Sequence, residues 1–352
     1  MSDRRRWSDH PLVQLTRVRY REFFREPEAV FWVFIFPVLL AAGLGIAFRN
    51  RAPDRTSVAV VAVDTNAVGL TDALRAAPEL KVSLLSDSAA AEALRTGEVA
   101  LVVVPAAGGQ VEYRYDDTRP ESRIARLVVD DALQRAAGRR DPVPGSDQLV
   151  HERGSRYIDF LVPGLLGMNL MGSGIWGVGF AIVDARKKRL LKRLIATPMS
   201  RPQFLASFVL SRLTLLVIEV GLLLGFGALV FGVPLRGSLV VLVTICLVSS
   251  LAFTSLGLLV ASRVQTMEGA SGLMNLVMLP MWIFSGVFFS ASRFPESLQP
   301  YIQALPLTAV VDALRANILR GAGWEAVAPE IVIITAWLAV SFLLALKLFR
   351  WR

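Results

Sequence analysis

Four stretches of this chain run 19 to 25 residues without a charged side chain: Val30–Phe48, Phe160–Val183, Ser238–Ser262 and Gly269–Ser292. About 20 apolar residues wound as a helix cross the ~30 Å hydrocarbon core of a bilayer, and inside that core a helix satisfies its own backbone hydrogen bonds. Runs of this length therefore restrict the chain to a helical membrane protein. Composition agrees, because hydrophobic residues make up 54% and charged residues only 19% of the 352, against about 25% charged in a soluble domain. A soluble enzyme is excluded.

Two less clean segments complete the set. Phe204–Phe231 is apolar apart from Arg212 and Glu219, and Ile331–Leu346 reaches spanning length if Lys347 extends its ammonium to the interface. The expected fold is an α-helical integral membrane protein with six transmembrane helices and a small α/β extracytoplasmic domain inserted between the first and second spans.

The net charge of +9 suggests nucleic acid until it is apportioned. Arg49–Arg156 carries 15 basic and 16 acidic residues and is close to neutral. The excess lies in Asp184–Pro202, with seven basic residues against one acid, and in residues 1–29, with seven against five. Basic segments flanking spans mark the cytoplasmic side, and no aromatics are interleaved for base stacking. Both termini and the loop 184–202 are thus expected inside, residues 49–156 outside, and nucleic acid is not a partner. The single cysteine, Cys246, and the two histidines, His10 and His151, leave no disulfide and no Cys/His zinc site.

The parts follow in order. Residues 1–29 form a cytoplasmic tail whose Gln14, Arg17, Arg21 and Arg25 share one helical face opposite Leu12, Leu15 and Phe23, an amphipathic helix for the lipid surface that Pro27 ends. Residues 30–48 form the first span. Residues 49–156 alternate β-branched runs (Val58–Val63, Lys81–Leu85, Val99–Val104, Val111–Tyr115) with helix-like stretches, the pattern of an α/β layer. Residues 157–352 supply five further spans, with short extracytoplasmic helices over residues 293–328, where Pro300 and Pro306 break two apolar runs too short to cross.

Gly172, Gly174 and Gly177 have the spacing of a dinucleotide fingerprint, but they lie inside an apolar span with no preceding strand. Close helix packing is the better reading, as it is for Gly221 and Gly225. A phosphate loop needs a lysine directly after glycine, and none of Lys81, Lys187, Lys188, Lys192 and Lys347 follows one. This chain therefore carries no Walker A site, and any ATP-driven work would have to come from a partner. In the basic loop, Leu190, Leu191, Leu194 and Ile195 give a short helix one apolar face, which suits docking better than solvation. Glu219 sits mid-span, where an ionisable group costs about 2.5–3.5 kcal/mol, so it is either a functional group or a packing glutamate reached by Arg212 two turns earlier.

Three blocks resemble a known family: Phe160-Leu161-Val162-Pro163-Gly164-Leu165-Leu166-Gly167-Met168; the loop ending Leu190-Leu191-Lys192-Arg193-Leu194-Ile195-Ala196-Thr197-Pro198; and Phe284-Ser285-Gly286-Val287-Phe288-Phe289 leading to Leu305-Pro306-Leu307-Thr308 and Val311-Asp312-Ala313-Leu314-Arg315. They are similar to the permease subunits of type 2 ATP-binding-cassette exporters, such as the daunorubicin-resistance and multidrug efflux permeases. The resemblance implies a non-enzymatic, multi-pass subunit of the bacterial plasma (inner) membrane that exports a hydrophobic or amphipathic compound. It implies homodimers or heterodimers, contact with membrane lipids, and ATPase subunits that bind the ATP and Mg, this chain holding no cofactor. A membrane-fusion protein is a further candidate partner. The family's coupling helix maps to Asp184–Ala196, which makes Asp184, Arg186, Lys187, Lys188, Leu190, Leu191 and Leu194 the expected ATPase-contact residues. A non-transporting component that passes ATPase-driven motion to a periplasmic partner would use the same parts. A membrane sensor lacks a cytoplasmic output domain here, and an intramembrane enzyme lacks a second catalytic group beside Glu219.

Overall fold

The computed structural model describes residues 11–48, 55–63, 66–106, 110–140, 143, 154–187 and 201–348. These divide into two compact units, one of residues 1–49 with 150–352 and one of residues 50–149.

The first unit is helical. Helix α1, Pro11–Arg25, stops before Pro27, which opens the next helix at its first position, where a missing N–H costs nothing. That helix, α2, is Pro27–Ala47 and contains one π-helical stretch, Phe31–Ile35. Pro37 follows within two residues. Proline removes the N–H that would bond the carbonyl four residues back, so the ordinary ladder leaves the Val33 oxygen without its donor. Helix α1 packs against a later membrane helix, and Phe23 meets Phe34 edge to face with ring centroids 5.8 Å apart. Part of the helix expected at the lipid surface thus also meets the bundle.

In the second unit, strands β1 (Thr56–Val61), β2 (Leu80–Leu85), β3 (Leu101–Pro105) and β4 (Val111–Arg114) form one sheet in the order β2-β1-β3-β4. The first three are parallel and β4 is antiparallel to β3. Alternation along β1 sends Val58 and Val60 to the face covered by α3 (Asn66–Arg75) and α5 (Pro120–Ala136). Ala59 and Val61 face α4 (Asp87–Thr96).

The remaining helices belong to the first unit: α6 (Tyr157–Lys187), α7 (Arg201–Phe231), α8 (Leu239–Ala261), α9 (Met267–Phe284), the short α10 (Gln299–Gln303), α11 (Pro306–Arg320) and α12 (Trp324–Leu348). Five helices are long and apolar enough to cross a membrane: α2, α6, α7, α8 and α12. A sixth crossing arises if the pair Glu296–Gln303 and Pro306–Arg320, bent by 84°, is one span. The span expected from the uncharged run Gly269–Ser292 is shorter as a helix, because Gly286 adopts φ +74 and the chain turns there. The last span begins at Trp324, earlier than the expected Ile331, since Pro329 is accommodated inside it.

Helix α6 is the hub, with Leu161, Leu165, Leu166, Leu170, Met171 and Ile175 fully buried. Glycines let its neighbours approach. A Cβ on Gly164 would lie 2.5 Å from the Val287 carbonyl oxygen, and one on Gly257 of α8 would lie 2.6 Å from the Ile175 oxygen. Gly174 faces Phe253 at 2.7 Å on the same measure, whereas Gly177, Gly221 and Gly225 meet nothing within 4 Å among the described residues. Gly172 has only the Met278 methyl, at 4.0 Å. Helix α9 and its continuation run antiparallel along α6, from Met274 beside Gly179 to Phe288, whose carbonyl accepts from Tyr157 Oη at 3.1 Å.

Candidate functional site

One group of buried polar side chains inside the bundle centres on Glu219. Glu219 lies on the face of α7 that meets α6 and is 1% exposed. Arg212, seven residues earlier, reaches it across two turns, with Nη1 donating to Oε1 at 2.9 Å and Nη2 to Oε2 at 3.4 Å. Helix α6 enters through Ser173, whose Oγ accepts from Arg212 Nη2. Its single proton is shared between Glu219 Oε2 at 3.1 Å and the Asn169 carbonyl at 2.7 Å. Asn169 in turn donates its side-chain amide to the Val33 carbonyl of α2 at 3.1 Å, filling the vacancy left by Pro37.

The arrangement adds directed polar bonds to the apolar packing among α2, α6 and α7. Removing one member of a buried ion pair strands the other charge and costs about 3–5 kcal/mol, whereas replacing both with apolar groups is often neutral or favourable. Such a pair contributes specificity of arrangement more than stability. Asn169 and Ser173 are not among the residues singled out in the sequence. Their signal was present: they are the only amide and hydroxyl side chains in Phe160–Val183 and stand four apart, on one helical face.

A second cluster lies at the Tyr157 end of the bundle. Arg315 of α11 donates from Nη2 to the Gly286 carbonyl at 2.6 Å and from Nε and Nη2 to the Phe160 carbonyl at 3.3 and 3.2 Å. Its guanidinium stacks 3.5 Å from the Phe160 ring centroid. Two of the quoted blocks, the one opening at Phe160 and the one running from Phe284 to Arg315, are thus pinned by one side chain.

Of the expected ATPase-contact residues, Asp184, Arg186 and Lys187 lie at the far end of α6. Arg186 Nη1 donates to the carbonyls of Ala261 at 3.0 Å and Val264 at 2.7 Å, capping the end of α8. Lys188, Leu190, Leu191 and Leu194 lie outside the described residues. Among the described residues no group of three His, Cys, Asp or Glu side chains could hold a metal ion.

Comparison with known proteins agrees with this architecture. The family described as "ABC-2 family transporter protein" matches residues 28–347. An inner membrane transport permease of Escherichia coli strain K12, YhhJ, is 27% identical over 173 residues, covering 49% of this chain and 46% of that protein. The linearmycin resistance permease protein LnrN of Bacillus subtilis strain 168 is 28% identical over 174 residues, covering 49% and 45%. ABC transporter G family member 20 of Dictyostelium discoideum is 28% identical over 250 residues, covering 67% and 34%. The matches to the two bacterial permeases span about half of their length. With most of its length inside the family's match, and with membrane helices packed around α6, the chain belongs to the ABC-2 transporter family.

Proposed function

We propose that this chain is the permease subunit of an ATP-driven exporter that moves a hydrophobic or amphipathic compound out of the cytoplasm. In this reading it dimerises and engages separate ATPase subunits that bind ATP and Mg. Residues 49–156 are extracytoplasmic, and both termini are cytoplasmic. The observation that carries the reading is the sorting of charge within a family match: Asp184–Pro202, the most basic segment, follows directly from the Lys187 end of α6.

The loop Asp184–Ala196 is the proposed ATPase contact. Apolar anchors dominate contacts of this kind while basic rim residues steer encounter. Replacing Leu190, Leu191 and Leu194 with Ser is therefore expected to abolish co-purification of the ATPase and transport while membrane insertion is retained, since the orienting charges remain. Lys187→Gln with Lys188→Gln is expected to have a smaller, salt-dependent effect. Wild-type ATPase recovery and transport in the triple variant would reduce the loop to a topogenic charge cluster. ATP-driven motion with no compound moved would favour a component acting on a periplasmic partner.

A further inference from the structure

We infer that Ser173, Arg212, Glu219 and Asn169 form a clasp that makes α2 move with α6 and α7, with Asn169 and Ser173 as its positioning residues; this rests on the permease reading above. Three observations converge. The first is burial: Glu219 is 1% exposed, and Ser173 and Asn169 are each 7% exposed, so no solvent replaces a bond that breaks. The second is connectivity. Ser173 ties α6 to both charged groups of α7, and Asn169, one turn away, ties α6 to the Val33 carbonyl of α2. The third is placement. Residues 188–200 join α6 directly to α7, so a force on that loop reaches these two helices first.

The contrast with the other face of α6 sharpens the assignment. There Gly174 and Gly257 bring α8 against α6 through carbon and main-chain contacts, which tolerate sliding better than directed bonds do. On the clasp side a shift of one helix past another must break the Ser173 bonds to Arg212 and Glu219 or leave the Val33 carbonyl bare in hydrocarbon, so the helices keep register. The π-helical stretch Phe31–Ile35 with Pro37 is the place where α2 yields its carbonyl to this network, and α2 continues back into α1, which packs on α7. Helix α2 is thereby driven at two levels by the same pair of helices. Glu219 on this view holds an arrangement and does not bind the exported compound.

The test uses the full permease purified with its ATPase and two single-cysteine probes in a Cys246→Ala background: Gln265→Cys near the Lys187 end and Ile46→Cys at the exposed far end of α2. In the wild type, trapping with ATP and vanadate is expected to change the thiol modification rate at both positions several-fold. The double variant Arg212→Met with Glu219→Leu removes both charges together. Because it frees α6 from α7 but leaves the Asn169 bond to Val33 in place, its expected result is a nucleotide response kept at position 265 and reduced at position 46. Asn169→Ala, which cuts only the link to α2, is expected to keep the response at position 265 and lose it at position 46, and it decides the matter if the double variant does not insert. A response at position 46 as large as in the wild type, in either variant, overturns the clasp while leaving the permease reading intact. A wild-type complex in which neither probe responds overturns the permease reading and the clasp with it.

Discussion

Arg315 satisfies its guanidinium largely with main-chain oxygen, and this makes it hard to replace. Its planar fork bonds the Phe160 and Gly286 carbonyls at once and stacks on the Phe160 ring, whereas lysine offers a point charge that cannot serve both carbonyls and the ring in one geometry. Arg315→Lys is expected to cost about 1–3 kcal/mol through the carbonyl left unsatisfied, read as a lower unfolding midpoint of the detergent-purified protein. An unchanged midpoint would mean that another donor serves that carbonyl. In the unit that holds the sheet, Tyr113 gives a pH signature. Burial, then a 3.0 Å hydrogen bond to Asp130, pushes its phenol up to about 12. The folded state therefore holds this proton more tightly than the unfolded chain, whose phenol titrates near 10. Its contribution is complete below pH 10 and is lost as pH rises toward 12, so Tyr113→Phe is expected to flatten the alkaline limb of the stability profile. How far such residues were legible depends on what they bond. Arg212 and Glu219 are seven apart on one helix, and periodicity alone puts them on one face. Arg315 bonds main-chain oxygens more than a hundred residues away in one case, and no side-chain pattern encodes a carbonyl.

Among the elements, glycine spacing was easily seen in the sequence, but its consequence was not. Gly172, Gly174, Gly177, Gly221 and Gly225 all read as packing residues, yet only Gly174 of the five is in tight contact, with Phe253. The tightest approach to main chain on α6 is at Gly164, beside the Val287 carbonyl. Alanine gains roughly 0.8–1 kcal/mol of helix propensity over glycine, while forcing a methyl group into a filled site costs about 1–3 kcal/mol. Gly164→Ala is expected to be destabilising, because the atom in the way belongs to backbone, whereas Gly221→Ala is expected to be neutral or slightly stabilising. Thermal unfolding of both variants in one detergent compares them. Equal losses would show that Gly221 packs against something outside this chain. The same limit applied to α9, where an uncharged run extends to Ser292 but the helix ends at Phe284: absence of charge reports compatibility with lipid, and the turn at Gly286 depends on backbone dihedrals.

For the whole molecule the open question is which segment makes the sixth crossing, and the contacts along α6 decide how it should be tested. Tyr157, at one end of α6, touches the Phe288 carbonyl and the ring of Phe48 just beyond α2. Arg156 reaches the Gly232 carbonyl after α7. The Arg236 amide donates to Ile318, and Gly321 packs beside Arg236 before α12 begins. At the other end Arg186 meets Ala261 and Val264. Helix α9 with its continuation therefore covers the same stretch of α6, Gly179 to Tyr157, that a crossing requires, about 33 Å at 1.5 Å per residue. Helix α11 covers only part of that depth: it ends beside Arg236, and the Ala304 carbonyl just before it accepts from Trp337 Nε1, midway along α12. This geometry leads to the expectation that α9 with its continuation crosses and the bent pair dips in and returns, which would give six crossings and put α1 and the end of α12 on the same side. The native Cys246 is buried, so introduced thiols report cleanly. In intact cells Ser88→Cys and Ser292→Cys are expected to react with a membrane-impermeant maleimide, whereas Gln265→Cys reacts only after permeabilisation. Reaction at Ser88 together with protection at Ser292 would instead make the bent pair the sixth span and leave α9 on the cytoplasmic side of it. Protection at Ser88 would reverse the orientation inferred from the basic loop. The three probes thus separate crossing from orientation, because the first depends on the contacts along α6 and the second only on where the positive charge resides.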